Sequence, residues 1–471
     1  MAHDLVVVGG GPGGYATAFR AAARGLDVAL VESDKVGGTC LHRGCIPSKA
    51  ILHVAEVLEE VERADVLGIK VIHDGIDGDG LAAFRQGVVD NLHKGLAHLV
   101  KQRTTMHAGR GRLLDAGTVE VTGPDGSVTR VEGRHVVIAT GSVPRGLPGI
   151  DIDGDVVQTS DEALQFRQPP GRAVIIGAGA IGMEFASMWR PMGTAVTVVE
   201  ALDRVLPLED EDVSAAVAKA FRRQGVDVLT GAKVSGVHRD GATARVEVGM
   251  GSDARSLEAD VVLMAIGRAP NTSGIGADDL GVLDDRGFVT TDDFGATAVD
   301  GLWAVGDVRP TLALAHAAFA EGFVVADRIA GVDGVTPVDH TQTPRVTYCR
   351  PEVASVGLRE SRARELHGDD VTTTTYSLRA NAKGIIAGSD GFVKVVSRGS
   401  GAGTAPGATG EVLGVHVVGP HATELIAEAT LATSWGALPE ELAAITHAHP
   451  TLYEAMGEAF QAAAGLPFHG H

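Results

Sequence analysis

Three cysteines in 471 residues cannot staple a chain of this length. Such scarcity suits a reducing compartment, where a close pair of thiols serves catalysis or metal binding. Aromatic residues are also few, at 4%. Basic residues are outnumbered, 40 Lys and Arg against 60 Asp and Glu, for a formal net charge of −20. That balance argues against nucleic acid or an anionic membrane surface as partner. No apolar run approaches the ~20 residues that cross a bilayer. The short run Leu5–Val8 passes at once into glycine, unlike a secretory leader. The cytoplasm is the expected location. What remains is an ordinary globular composition, 44% hydrophobic and 21% charged, long enough for about three domains. Glycine is abundant, at 63 residues, as in folds with many tight strand-to-helix turns.

The chain opens with an apolar strand, the run GGGPGG, a helical stretch to Arg24 and a second strand ending at Glu32. This is a β-α-β unit. The pattern returns from Arg172 to Glu200 as RAVIIGAGAIGMEFASMWRPMGTAVTVVE. Gly9, Gly11 and Gly14 form a GxGxxG between strand and helix, as do Gly177, Gly179 and Gly182. The first glycine permits the tight turn, the second lets backbone approach a pyrophosphate, and the third lets helix pack on strand. The helix N-terminus then offers free N–H groups to phosphate. Glu32 and Glu200 end the second strands, where a carboxylate can hold ribose hydroxyls. An acid there favours NAD over NADP, although Arg204 lies close. Two such sites imply two nucleotides, as in a hydride relay between NAD and a flavin. After about residue 340, strands such as FVKVVS and EVLGVHVVG precede helical runs from Ala422 and Pro439, an α+β pattern with an antiparallel sheet. Between them, Arg398–Gly410 is low in complexity and reads as a flexible surface loop.

The two clustered cysteines lie in GGTCLHRGCIPSKA, Gly37 to Ala50. Five residues of regular helix separate two positions by ~7.5 Å along the axis. A disulfide wants Cα atoms at about 4.4–6.8 Å, so a Cys40–Cys45 bond needs a distorted turn. Gly44 permits one, and Pro47 suits the first turn of a following helix. Thiolates are stabilised at such a helix start. Zinc ligation lacks further ligands, and two unreactive core cysteines are the bland alternative.

With nucleotide units on both sides of this pair, the chain resembles the pyridine nucleotide–disulfide oxidoreductases nearly end to end. GGTCLHRGCIPSKA is similar to their active-site motif in its dihydrolipoyl-oxidising form. The resemblance implies an α/β fold with two Rossmann-like domains, for FAD and NAD, plus a C-terminal α+β dimerisation domain. The implied division is 1–145 and 270–340 for FAD, 146–269 for NAD and 341–471 for the interface. ATGSVP resembles a segment contacting FAD, which implicates Thr140, Gly141 and Ser142. AIGRAPNT, with Gly267, resembles the return from the NAD domain. GLWAVGD places Asp307 on the flavin, and LAHAAFAEG places Ala315 and His316 near the flavin ring. Lys49 and Glu184 match an ion pair beside the flavin. HAHPTLYEAMGEA, from His447, implies a base, His449, oriented by Glu454 and supplied across a homodimer. By itself, HAH is also a weak metal pair, and the closing FHGH reads as a loose tail. Cys349 reads as a core residue.

The function this implies is oxidation of dihydrolipoyl groups, through a Cys40–Cys45 redox disulfide and FAD, to NAD⁺. The dihydrolipoyl group would sit on a lipoyl domain of a 2-oxoacid dehydrogenase or glycine cleavage complex. The rivals are a reductase of another small disulfide, of glutathione or mycothiol type, and a largely structural flavoprotein subunit. Mercuric reductases need a C-terminal cysteine pair that this chain lacks, and soluble transhydrogenases usually lack paired cysteines. Departures from the family pattern are His42 and Arg43 between the cysteines, Tyr453, Pro191 and the Gly/Ala loop 399–409.

Overall fold

The computed structural model describes residues 2–251, 253–399 and 410–469. The expected loop falls, for residues 400–409, outside them.

The first unit begins with β1 (His3–Val8), α1 (Pro12–Ala23) and β2 (Val28–Glu32). Two helices follow, α2 (Gly38–Arg43) and α3 (Cys45–Glu62), then the long α4 (Gly78–Arg103) and the strands β3 (Thr105–Ala108), β4 (Arg110–Leu113), β5 (Thr118–Thr122) and β6 (Val128–Ile138). β3, β2, β1 and the last residues of β6 pair in parallel. The first half of β6 instead pairs antiparallel with β5, and β5 with β4. One strand therefore serves both a nucleotide-fold sheet and a meander. Leu5, Val7 and Leu30 bury one face of the parallel sheet and Val6, Val8 and Val31 the other, as continuous apolar strands of a covered parallel sheet do.

The connecting ribbon β7 (Ser142–Pro144) leads to β8 (Val157–Gln158), α5 (Ser160–Ala163), β9 (Arg172–Ile176), α6 (Ala180–Trp189), β10 (Ala195–Val199), α7 (Glu211–Arg223) and β11 (Asp227–Leu229). α6 ends before Pro191, as a missing donor and a ring clash require. An antiparallel meander β12 (Lys233–Asp240), β13 (Thr243–Met250), β14 (Asp253–Ala259) precedes β15 (Val261–Met264). The second parallel sheet has the order β11-β10-β9-β15-β8. The chain returns through β16 (Arg268–Pro270), which pairs antiparallel with β7. β17 (Leu302–Ala304) then closes the first sheet beside β6, and α8 (Ala315–Ile329) packs on α1.

The C-terminal part contains β18 (Arg345–Thr347), β19 (Val353–Gly357), α9 (Glu360–His367), β20 (Val371–Ser377), α10 (Ala382–Ile386), β21 (Phe392–Arg398), β22 (Val412–Val418), α11 (Ala422–Ser434), α12 (Pro439–Ala443) and α13 (Glu454–Ala463). Its sheet, β18-β19-β22-β21-β20, is antiparallel throughout. Val393, Val395, Val415 and Val417 face the helices over a core with Ile426, Met456 and Phe460. The fold is α/β with this α+β unit appended. Among the described residues no helix is long and apolar enough to cross a membrane.

Candidate active site

The two GxGxxG turns are built alike, down to single atoms. Gly9 and Gly177 have φ of +108° and +106°, and a Cβ on either would lie 2.4 Å from the carbonyl oxygen of Ala139 or Ala265. Only glycine holds that backbone comfortably. A Cβ at Gly14 or Gly182 would run into the carbonyl oxygen of Gly9 or Gly177 at 1.8 and 2.0 Å, so these glycines let helix meet strand. Gly179 faces open space, and the nearest atom to a Cβ at Gly11 is Gly38 Cα at 3.9 Å. The helices they precede, α1 and α6, have no side-chain cap, which leaves first-turn N–H groups for phosphate. Both turns thus keep the room and the donors that a dinucleotide needs. The carboxylates have an added task. Glu32 accepts from the N–H of Gly10 (2.6 Å) and Asp34 (2.8 Å), and Glu200 from that of Ala178 (2.7 Å) and Leu202 (2.8 Å). Each acid ties its loop to its fingerprint. Arg204 is committed to Glu211 at 3.0 Å.

The turn needed to bring the cysteines together is present. α2 stops at Arg43, Gly44 adopts φ −145° and ψ −109°, and α3 starts at Cys45. The structure holds both cysteines as thiols, each half-buried. Their shared hydrogen bond splits them: it raises Cys40 far above an ordinary thiol, with burial adding, and lowers Cys45 to about 7 against burial, with Lys49 helping. Lys49, one turn into α3, bonds both carboxylate oxygens of Glu184 on α6, at 3.0 and 2.9 Å. Burial alone would depress the Lys49 ammonium, but Glu184 holds it above its usual range. Lys49 also lies 4.4 Å from the ring centre of Tyr348.

Of the residues expected at the flavin, Ser142 meets Asp307. Ser142 Oγ donates to Asp307 Oδ2 at 2.5 Å. Thr140 Oγ1 donates to the Asn271 carbonyl, and the Asn271 N–H bonds the Gly141 carbonyl. Gly267, with φ +108° and open space at its Cβ position, accepts from Arg145 N. Ala315 and His316 start α8, whose N-terminus has no side-chain cap. The His316 ring itself bonds the Pro344 carbonyl at 2.7 Å. His449 Nδ1 lies 3.0 Å from Glu454 Oε2. Glu454 is 17% exposed and His449 75%. Among the described residues no hydrogen bond or ion pair links His449 to either cysteine of its own chain. His447, in the HAH pair, spends both ring nitrogens on Glu428 and the Ile445 carbonyl. Among the described residues no group of three or more His, Cys, Asp or Glu could hold a metal. Cys349 is fully buried, and burial pushes its thiol well up.

Several residues of this neighbourhood were not legible in advance. Arg268, directly after Gly267, donates to Ser142 Oγ and to the Ser142 carbonyl, both at 2.7 Å. Tyr15, directly after Gly14, feels both cysteines, and burial first raises its phenol to about 12. Adjacency to a motif was the available signal for these two. Asn381, 1% exposed, donates to Glu454 Oε1 at 3.3 Å, and nothing in its local sequence signals that. His42 turns away towards α4, where it shares the Val36 carbonyl with His93. Arg43 reaches Asp34 at 3.4 Å.

Comparison with known proteins agrees with this arrangement. Residues 3–322 match the model of the pyridine nucleotide-disulphide oxidoreductases, and residues 343–460 match the dimerisation domain of the same group. The chain is 39% identical to a Bacillus subtilis dihydrolipoyl dehydrogenase, covering 99% of each chain. It is 41% identical to a Mycobacterium bovis dihydrolipoyl dehydrogenase, covering 98% of each. The crystal structure of LpdA from Mycobacterium tuberculosis superposes with a TM-score of 0.89 at 30% identity, over 98% of this chain and 99% of that one.

Proposed function

Because the chain belongs to the pyridine nucleotide-disulphide oxidoreductase family, we propose that it is a dihydrolipoyl dehydrogenase, a homodimeric flavoenzyme that oxidises dihydrolipoyl groups with NAD⁺. The observation that carries this reading is the split thiol pair beside Lys49 and Glu184. In the chain's division, 1–145 and 270–340 hold FAD, 146–269 holds NAD, and 341–471 forms the dimer interface. Gly9, Gly11, Gly14, Glu32, Lys49, Thr140, Gly141, Ser142, Asp307 and the α8 start at Ala315 and His316 hold FAD. Gly177, Gly179, Gly182, Glu200 and Gly267 hold NAD. When bound, FAD would supply the two-electron carrier between the dithiol and NAD⁺.

The reaction starts from the oxidised pair. His449 of the partner subunit takes a proton from one substrate thiol, and Glu454 beside it stabilises the imidazolium. The substrate thiolate attacks Cys40 Sγ, a mixed disulfide forms, and Cys45 leaves as thiolate. The positive charge of Lys49 favours that thiolate as it leaves. The second substrate thiol then attacks the substrate sulfur of the mixed disulfide. Its proton goes to the departing Cys40, which leaves as a thiol. The substrate departs as a cyclic disulfide, while the imidazolium returns its proton to solvent. Lys49 holds positive charge beside the Cys45 sulfur throughout. The partner is a lipoyl domain of a 2-oxoacid dehydrogenase or glycine cleavage complex, in the cytoplasm.

Cys45→Ser tests the reading. The variant keeps its yellow FAD and loses turnover of dihydrolipoamide with NAD⁺. Full activity in that variant would end the proposal. Assays with NADPH and other small disulfides, run beside it, distinguish a reductase of glutathione or mycothiol type.

A further inference from the structure

Building on the reading above, we propose that Tyr453 is a positioning residue: with Thr451 it clamps the peptide that carries the base His449. Tyr453 stands immediately before α13, and its hydroxyl oxygen accepts the Ala448 N–H at 2.8 Å. The Ala448 carbonyl accepts from Thr451 Oγ1 at 2.6 Å. The residue just before His449 is thus tied on both sides by side chains. The Tyr453 ring is itself braced. Its centre lies 5.2 Å from that of His447, which is 7% exposed. His447 Nε2 lies 2.8 Å from Glu428 on α11, and its Nδ1 lies 3.1 Å from the Ile445 carbonyl. Gly457 leaves the space this ring fills, since a Cβ there would lie 2.5 Å from His447 Nδ1. A chain of fixed contacts therefore runs from α11 through His447 and Tyr453 to the Ala448 peptide.

The base needs this support because it leaves its own chain to reach the partner's cysteines, with Glu454 as its ring's hydrogen-bond partner at home. Its bond to Glu454 sets the ring's direction, and the two ties on Ala448 hold the backbone that leads into it. The clamp holds the Cα. A displacement of about 1 Å at a reacting group can cost ~10²-fold in rate.

The test is Tyr453→Phe in the full-length holoenzyme, which removes the hydroxyl and keeps the ring on His447. Three readouts are taken: hydrogen exchange at the Ala448 amide, oxidation of dihydrolipoamide by NAD⁺, and reduction of ferricyanide by NADH, which needs no thiol base. We expect exchange at Ala448 to rise and kcat with dihydrolipoamide to fall, each about tenfold. KM should stay within about twofold and the ferricyanide rate unchanged. Unchanged exchange and kcat would overturn the clamp. If the unaltered enzyme fails to oxidise dihydrolipoamide, the functional reading falls and exchange at Ala448 alone decides the clamp. If Tyr453→Phe loses its flavin, Thr451→Val, which cuts the tie on the carbonyl side, replaces it with the same expectations and the same refutation.

Discussion

Cys40 and Cys45 are the same amino acid, and their surroundings make them chemically unequal. The hydrogen bond between them leaves one sulfur holding the proton and frees the other. Lys49 adds a positive charge that favours the ionised form of either sulfur. In the reduced protein the lowered group is a thiolate above about pH 7 and a thiol below it. Thiolate absorbance of the reduced pair should therefore appear with a midpoint near pH 7, below the usual range of a free cysteine at about 8.5. Lys49→Met should move that midpoint upward, because it removes the charge that favours the ionised sulfur. A midpoint that stays in place would show that the lysine does not face the pair electrostatically. His42 and Arg43 sit between the cysteines in sequence yet serve other neighbours, His93 and Asp34. Two residues along the helix from Cys40, His42 leaves on a different face, while Arg43 is drawn off by its ion pair.

At the level of elements, the recurring unit is a strand, a glycine turn and an uncapped helix. Its three glycines differ in what they tolerate. Gly177 and Gly182 are closed by backbone atoms, so a side chain there disrupts the turn itself. Gly179 faces open space, so a side chain there fits the fold and fills the room where we place the NAD⁺ phosphate. Gly179→Val should leave the thermal midpoint and flavin content close to those of the parent. It should raise KM for NAD⁺ by about tenfold or more. A variant with unchanged NAD⁺ kinetics would show that this turn is not the nucleotide site. The three glycine roles were legible from spacing and strand-helix context. That Glu32 and Glu200 also fasten their loops was not, because those bonds run to backbone N–H groups twenty-two residues away.

Across the whole molecule, the second parallel unit is joined to the C-terminal sheet by a charge cluster around one buried lysine. Lys394 of β21, 3% exposed, bonds Asp210, Asp212 and Glu360 at 2.8, 2.6 and 2.8 Å. Burial opposes the charge on Asp210, yet the Lys394 ammonium holds this carboxyl below its usual range. A lowered carboxyl contributes stability above its ordinary range and loses it as the pH falls through the folded value. Lys394→Met leaves fully buried Asp210 without its cation, and removal of one partner of a buried pair costs about 3–5 kcal/mol. Thermal unfolding should therefore begin several degrees lower, and an unchanged midpoint would refute the weld. The dimer is testable in the same spirit. Refolding equal amounts of Cys45→Ser and His449→Ala subunits should restore about a quarter of full activity. Half of the dimers are mixed, and each mixed dimer has one intact site when the base crosses the interface. No recovery would place the base on the same chain as its cysteines.

The sequence by itself determined the local chemistry: two glycine turns, a cysteine pair at a broken helix, and a histidine five residues before a glutamate. These depend on contacts within about one turn of chain, so their spacing is enough to state them. Only the tertiary structure decided which distant groups complete them. Asp307 meets Ser142 across 165 residues, Arg268 meets Ser142 across 126, and Asn381 meets Glu454 across 73. Such pairings depend on how sheets and helices pack, and residue spacing carries no direct record of that packing.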